Sequence, residues 1–233
     1  VENEPITVAP EDYRRWRARP LGALTEAREI ALVLSTAGPL AGRHLLDVGC
    51  GDGTYAIAAA RRGAVVSAVD RSAGMIDAAR LRARDLRVAV EFCRADATRL
   101  PFATGTFDLV TAVTVLCFVP DAGSAVREMA RVLAPGGRLV IGELNRWSTW
   151  AAWRRLRARF GSPRWRHASF RSPRSLARLI RDSGLVPERV RGAIYYPPLP
   201  FLARVMGPAE RPLRALTTVG AAFLAAGAAK PAP

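Results

Sequence analysis

The chain has 233 residues, half of them apolar and 24% charged, which fits one globular α/β domain with a proper core and is short for two. Three cysteines are too few, and odd in number, for a disulfide-built secreted fold. Residues 1–10 are polar and acidic, unlike a secretory signal, and no apolar run reaches the roughly 18 residues of a spanning helix. Secreted, disulfide-stapled and membrane-spanning classes are thereby excluded, and a cytoplasmic location is expected. The formal net charge is +15, and Lys230 is the only lysine, so the positive charge is almost all arginine. It is also uneven: residues 146–191 hold thirteen arginines against Asp182 and Glu188.

In chain order, residues 25–36 are apolar at helical spacing and stop at Gly38-Pro39. Residues 44–48 form a short apolar run that ends in glycines, 53–62 read as a helix and 64–69 as a second buried strand. Residues 72–84 form a helix with Ser72 as its N-cap. Further strands are expected at 88–92, 107–113 and 138–141, with a helix between the last two that begins near Asp121 and ends before Pro135-Gly136-Gly137. Strands alternating with helices, and apolar throughout, predict a parallel sheet covered on both faces. The last third is less regular. Helices are expected at 148–160, where Trp150, Trp153, Leu156 and Phe160 fall on one broad face, and at 173–183. Strand character is expected at 186–196 and 218–226, with one or two short helices in 197–216.

The strongest chemical signal is Leu45-Leu46-Asp47-Val48-Gly49-Cys50-Gly51-Asp52-Gly53-Thr54, a buried strand running through a glycine turn into a helix. Gly49 and Gly51, without side chains, let a ligand lie against the backbone where strand end and helix N-terminus converge. A dinucleotide fingerprint wants glycines at the first, third and sixth positions, and the sixth here is Thr54. Asp47 and Asp52 put carboxylates where a pyrophosphate would be repelled, and no Gly-Lys-Ser/Thr of a P-loop occurs. A cationic, phosphate-free nucleoside fits better. Asp70 closes the next strand, where a carboxylate accepts hydrogen bonds from ribose hydroxyls. Ala95-Asp96-Ala97 follows the third strand, placed to meet an adenine amino group. Phe107-Asp108-Leu109-Val110 then leads through Thr114 to Arg131-Val132-Leu133-Ala134-Pro135-Gly136-Gly137.

In this order, at strand ends, the motifs resemble the class I S-adenosylmethionine-dependent methyltransferases, in particular the small-molecule branch with the ubiquinone and menaquinone methyltransferases. The resemblance is dense from about Tyr13 to Asn145. It implies a Rossmann-like, seven-stranded, mostly parallel sheet with an antiparallel last strand and helices on both faces, a three-layer αβα architecture. It divides the chain into an N-terminal helical lid (1–40), a cofactor core (41–145), substrate-side insertions (146–217) and the last strand (218–230). It further implies that Gly49 and Gly51 line the methionine moiety of S-adenosylmethionine, that Asp70 binds the ribose, and that Asp47, Cys50 and Arg71 also belong to the cofactor site. Met75 would pack on the adenine, Asp96 and Ala97 would address its amino edge, and Thr114 would face the methionine end. An N-terminal residue, Tyr13, Arg14 or Trp16, would close over the cofactor. S-adenosylhomocysteine would be the product.

Each residue also has a plainer reading. Met on a helix is often core packing, and buried cysteines usually act as small hydrophobes, which speaks against Cys50, Cys93 and Cys117 as a metalloid site. His44 and His167 offer no metal-ligand spacing, so no metal is expected. A general base is needed only for an acceptor that carries a proton at neutral pH. Candidates are Glu143, His167, Tyr195 and Tyr196, with methyl transfer by proximity alone as the alternative. Trp147, Trp150, Trp153 and Trp165 interleave with arginine, and residues 195–201 are apolar and aromatic. Such a segment packs as a lid, rests peripherally on an anionic membrane, or tracks RNA. A small apolar or aromatic acceptor is the leading expectation, an RNA methyltransferase or a non-catalytic S-adenosylmethionine-binding module the rivals. The oligomeric state is left open.

Overall fold

A computed structural model of the chain describes residues 9–160, 168–207 and 210–232. One seven-stranded sheet carries the molecule, in the order β3-β2-β1-β4-β5-β7-β6. Its strands are β1 (His44–Val48), β2 (Val65–Asp70), β3 (Glu91–Arg94), β4 (Phe107–Val113), β5 (Leu133–Leu144), β6 (Val186–Ala193) and β7 (Phe223–Ala229). Six strands are parallel, and β7 runs antiparallel between β5 and β6. Alternation along the strands feeds two cores. Leu45, Leu109, Val140 and Ala225 face one side and Leu46, Val110, Leu139 and Leu224 the other. The first side is covered by α2 (Pro20–Ala37), α3 (Thr54–Ala60) and α4 (Ala73–Asp85), the second by α5 (Ala122–Val132) and α7 (Pro173–Arg181).

The remaining helices are α1 (Pro10–Arg17), α6 (Thr149–Arg159), α8 (Pro200–Met206) and α9 (Glu210–Leu216). α6 and α8 bring Trp150 and Ala203 into the core on the α2 side. Proline at the first helical turn opens α1, α2, α7 and α8, where its missing N–H has no intrahelical partner to lose. Lys230, the single lysine, caps the end of α5 through the carbonyls of Ala130 and Leu133 at 2.7 and 2.6 Å.

Several boundaries differ from those the sequence suggests. The helix expected at 25–36 starts at Pro20, and α1 precedes it as a separate element. The last strand lies five residues later than the β-branched run Thr217-Thr218-Val219 suggests, because Gly220 takes a left-handed turn there. β7 itself is mostly alanine and glycine, with weak strand propensity. It is paired on both edges and covered on both faces, and tertiary packing overrides propensity. β5 begins ahead of Pro135-Gly136-Gly137, directly at the end of α5, with an irregular register opposite Phe107–Leu109. The expected apolar face of α6 is split: Trp150 is buried, while Trp153, Leu156 and Phe160 are exposed.

Candidate functional site

The carboxyl ends of β1, β2, β3 and β4 open on a cleft of about 330 Å³. Its floor is the glycine turn after β1. The N–H groups of Gly49 and Cys50 both donate to the Val69 carbonyl, at 2.8 and 2.9 Å, which ties the turn to the end of β2. Gly49 has φ +71°, and a Cβ there would stand 2.3 Å from Val115 Cγ2. The space beside Gly51, at φ +54°, is open to 4 Å. The turn therefore contains one glycine required by packing and one that leaves a ligand-sized approach to the backbone.

Asp70 is oriented by backbone alone. Its Oδ2 accepts from Gly51 N–H and its Oδ1 from Ser72 N–H, each at 2.9 Å. Ser72 in turn caps α4 through the Met75 N–H. On the opposite wall, Asp96 accepts both the N–H and the hydroxyl of Thr98, and these bonds hold its carboxyl below the usual range. Asp121 caps α5 through Ser124 and is likewise held low. The cleft thus contains Asp70, Asp96 and Asp121 against Arg71, a local acidic excess in a strongly basic chain. That set of carboxylate acceptors suits a cationic nucleoside, and the open face at Gly51 gives it backbone to lie on.

Of the residues expected to hold the cofactor, the cleft brings together Gly49, Asp70, Arg71, Asp96 and Ala97. Gly51 lies in the adjoining turn. Met75 and Cys50 are each 5% exposed and belong to the packed interior. Asp47 is buried: burial pushes its carboxyl up to about 7, although the Thr111 hydroxyl, at 2.8 Å, and the Ala56 N–H favour the anion. Asp52 does not confront the ligand either. It is enclosed by Arg17 of α1 and Arg82 of α4, with Thr54 beside it. Thr114 takes φ +53°, an unusual conformation for a β-branched residue, and redirects the chain at the end of β4. The segment it launches delivers Val115, Val119, Pro120 and Asp121 to the cleft, a wall that the sequence marks only by its place between β4 and α5.

The candidate bases are scattered. Glu143 is fully buried on the α5 and α7 side of the sheet. Burial raises its carboxyl to about 7, although Arg171 and the N–H groups of Cys117, Leu116 and Leu144 favour the anion. The Tyr195 hydroxyl donates to the Thr217 carbonyl, and burial raises its pKa. Tyr196 is fully buried against α2, with its hydroxyl 3.3 Å from that of Thr25 and the Arg28 guanidinium over its ring. His167 and Trp165 lie outside the described residues. Cys50 and Cys117 are buried thiols, Cys93 is half-buried, and no group of three metal-ligating side chains occurs among the described residues.

A second cluster has no counterpart in the sequence motifs. Tyr13 on α1 reaches inward: burial, and the fields of Cys117, Asp52, Asp70 and Glu29, push its phenol well above the ordinary range. Glu29 on α2 accepts from the Tyr55 hydroxyl at 3.3 Å, and burial raises it to about 7 even though Arg154 stands opposite. Arg154 on α6 lies over the Trp150 ring at 5.2 Å, and Trp150 meets Trp16 edge to face. Helices α1, α2, α3 and α6 therefore share one cluster.

A family described as a methyltransferase domain matches residues 46–141, the span from β1 to β5 that builds this cleft. The chain is 38% identical over 174 residues to the ubiquinone biosynthesis O-methyltransferase of Thiobacillus denitrificans, covering 70% of this chain and 73% of that protein. It is 34% identical to the enzyme of the same name from Alkalilimnicola ehrlichii, covering 78% of each. The chain belongs to the S-adenosylmethionine-dependent methyltransferases. The fold agrees: an S-adenosylmethionine-dependent methyltransferase structure from Thermotoga maritima superposes with a TM-score of 0.72 at 22% identity, over 94% of this chain and 95% of that one. S-adenosylmethionine is accordingly the cofactor of this methyltransferase, and the acidic, glycine-floored cleft has the composition to receive it.

Proposed function

We propose that this methyltransferase methylates a hydroxyl of a small, lipophilic aromatic acceptor, in the manner the names of its relatives describe for ubiquinone biosynthesis. The observation that supports this reading, beside the names of the relatives, is the aromatic character of the helices next to the glycine turn. Trp16 of α1 meets Trp150 of α6 edge to face, Tyr55 of α3 packs on the same core, and Tyr13 of α1 lies in the field of Asp70, which lines the cleft. An aromatic ring stacks or packs edge-on in such surroundings, and its burial excludes water from the reacting oxygen. When bound, S-adenosylmethionine supplies an activated methyl group on a sulfonium. The chain's own residues then hold and orient. Asp70 would accept the ribose hydroxyls, with Arg71 beside it; Gly49 and Gly51 would frame the methionine portion from the turn, and Asp96 and Ala97 would meet the adenine, while Asp47, Cys50, Met75 and Thr114 brace these elements from the interior and the end of β4. Tyr13 of α1 would close over the cofactor.

The test is calorimetric titration with S-adenosylmethionine and S-adenosylhomocysteine, followed by turnover assays on alkylated catechols and on RNA. Binding with methylation of catechols supports the reading, and methylation of RNA alone overturns it.

Peripheral membrane contact is favoured by a separate observation. Trp147, Trp153, Leu156 and Phe160 at α6, and Phe201 and Val205 on α8, are exposed in the arginine-rich last third of the chain. Among the described residues no helix is long and apolar enough to cross a membrane, so such contact would be at the surface. Co-sedimentation with anionic vesicles, lost on Phe201→Asp, tests it.

A further inference from the structure

The wall that the loop after β3 and the start of α5 give the cleft is made of hydrogen-bond acceptors. Asp96 stands on that loop, Asp121 is the N-cap of α5, and both line the cavity. Asp96 takes two hydrogens of Thr98 on one oxygen, the N–H at 2.8 Å and the hydroxyl at 2.7 Å, both to Oδ1. Its Oδ2 has no hydrogen-bond partner among the described residues. Asp121 accepts the Ser124 N–H on Oδ1 at 2.9 Å and the Ser124 hydroxyl on Oδ2 at 2.6 Å. An ionised carboxylate has about four lone-pair sites, so both groups keep room for a further donor. The wall supplies none: Thr98 has given its hydrogens to Asp96, and Pro120 has no N–H. The two carboxylates are also fixed relative to each other. Glu128 of α5 accepts the Leu100 N–H at 2.9 Å, and Arg131 of α5 donates to the carbonyls of Leu100 and Phe102 at 3.0 and 2.8 Å. The loop that carries Asp96 is thereby strapped to the helix that Asp121 caps.

Resting on the adenine placement proposed above, we propose that Asp121 is a second acceptor for the amino group of the cofactor's base, so that its two hydrogens go to Asp96 and Asp121 and the cleft selects a 6-aminopurine. Val115 and Val119, in the same lining, give the ring an apolar surface to pack on. A 6-oxopurine presents a carbonyl oxygen in place of the amino group. Before two carboxylates that oxygen meets no donor and is repelled by both, and a site built to hydrogen-bond an N–H rejects an analogue that lacks it. Capping α5 does not require this charge, because Asn and Ser cap as well as Asp. The carboxylate at residue 121 is a specificity determinant placed on a capping position.

The test titrates the protein calorimetrically with S-adenosylhomocysteine and with S-inosylhomocysteine, the same molecule with a 6-oxo base. The wild type should bind the amino ligand at least about 100-fold more tightly. Asp121→Asn keeps a capping oxygen and adds an amide donor that a carbonyl can accept. It should weaken S-adenosylhomocysteine by about fivefold or more and tighten S-inosylhomocysteine, narrowing the ratio by about 30-fold or more, with Tm within about 3 °C of the wild type. Asp121→Ser, which caps without charge, should narrow the ratio as well, so a folding defect peculiar to one variant does not decide the outcome. A residue that only capped α5 would move both ligands alike or neither. Equal losses on the two ligands, an unchanged ratio in both variants, or a wild type that binds the two ligands within about threefold overturns the assignment. A ratio narrowed by Asp96→Asn and by neither Asp121 variant overturns it while sparing the adenine placement. A ratio that no variant at Asp96 or Asp121 moves overturns both.

Discussion

The two glycines of the turn after β1 should respond to the same substitution in opposite ways. Replacing Gly49 by alanine forces a Cβ to within 2.3 Å of Val115 Cγ2 and 2.5 Å of Val115 Cβ. Val115 follows the strained Thr114 and lines the cleft, so it has little freedom to withdraw. Overpacking of this kind destabilises by about 1–3 kcal/mol. The left-handed backbone adds about 1–2 kcal/mol for a residue with a Cβ, less a gain of about 0.4–1 from the stiffer unfolded chain. Gly49→Ala should therefore lose about 2–4 kcal/mol, or roughly 4–16 °C in Tm for a chain of this size. At Gly51 the backbone cost is the same but nothing stands within 4 Å of the new carbon. Gly51→Ala should lose at most about 1.5 kcal/mol, a shift of under about 6 °C.

For S-adenosylmethionine the ranking reverses relative to stability. The methyl of Gly51→Ala enters the space a ligand needs in order to lie on the backbone, and it sits beside the N–H that orients Asp70. Affinity should fall at least about tenfold, roughly 1.4 kcal/mol, in a protein whose thermal transition is nearly that of the wild type. Differential scanning calorimetry and isothermal titration on the two variants read both quantities. A Gly51→Ala protein that binds as the wild type does, or a Gly49→Ala protein of unchanged Tm, would refute the division of labour within the turn.

Other outcomes follow from the same geometry. Asp70→Ala removes the carboxylate proposed to accept two ribose hydroxyls at about 1.5–3 kcal/mol each, so Kd for S-adenosylmethionine should rise by roughly 100-fold or more in calorimetry; a change of under about threefold would show that Asp70 only braces the turn. Arg17→Ala leaves Asp52 to Arg82 alone and releases α1, so limited proteolysis should cut the N-terminal helix faster at a stability loss of about 1–3 kcal/mol; unaltered cleavage would mean that α1 is held by its other contacts. Asp47 and Glu143 have folded pKa values of about 7, raised by burial above their ordinary ones. Between about pH 4 and 7 the folded chain keeps protons that the unfolded chain has lost. Stability should then fall as pH rises, by up to about 1.4 kcal/mol per pH unit per group, and level off above about pH 8. A Tm that climbs between about pH 5 and pH 8, measured without ligand, contradicts this sign.

What the sequence makes legible is chemistry confined to one strand and the turn behind it. Gly49, Gly51, Asp70, Asp96 and the Ser72 cap are local features, each fixed by a strand end and a few residues after it, and the structure places them where the pattern implies. The cluster of Tyr13, Glu29, Tyr55, Arg154 and Cys117 comes from five separate segments and no spacing rule joins them. Asp47 and Asp52 are a related case. As letters in a motif both look like ligand-facing charge, yet the neighbours that bury Asp47 and enclose Asp52 come from distant helices and strands. The starts of α1 and α2 at Pro10 and Pro20 were not read, and the last strand was expected but placed five residues early, because a strand of alanine and glycine owes its bounds to the two strands beside it.

The charge of the chain and the charge of its cofactor have the same sign, and this discriminates between the near and far fields. S-adenosylmethionine carries a net positive charge toward a protein of formal charge +15. At physiological ionic strength the Debye length is about 8 Å, so the arginines outside the cleft are largely screened from a ligand seated within it. Asp70, Asp96 and Asp121 act at contact distance, against Arg71 alone in the cleft lining. Several arginines are also neutralised in pairs: Arg17 and Arg82 with the buried Asp52, and, at the surface, Arg131 with Glu128 and Arg138 with Glu188. The near field should therefore decide. Kd for S-adenosylmethionine should weaken by less than about threefold between 50 and 300 mM salt, while retention on anionic vesicles, which depends on the outward arginines, should collapse over the same range. Affinity for the cofactor that improves steeply with added salt would show that repulsion by the whole chain outweighs the carboxylates of the cleft.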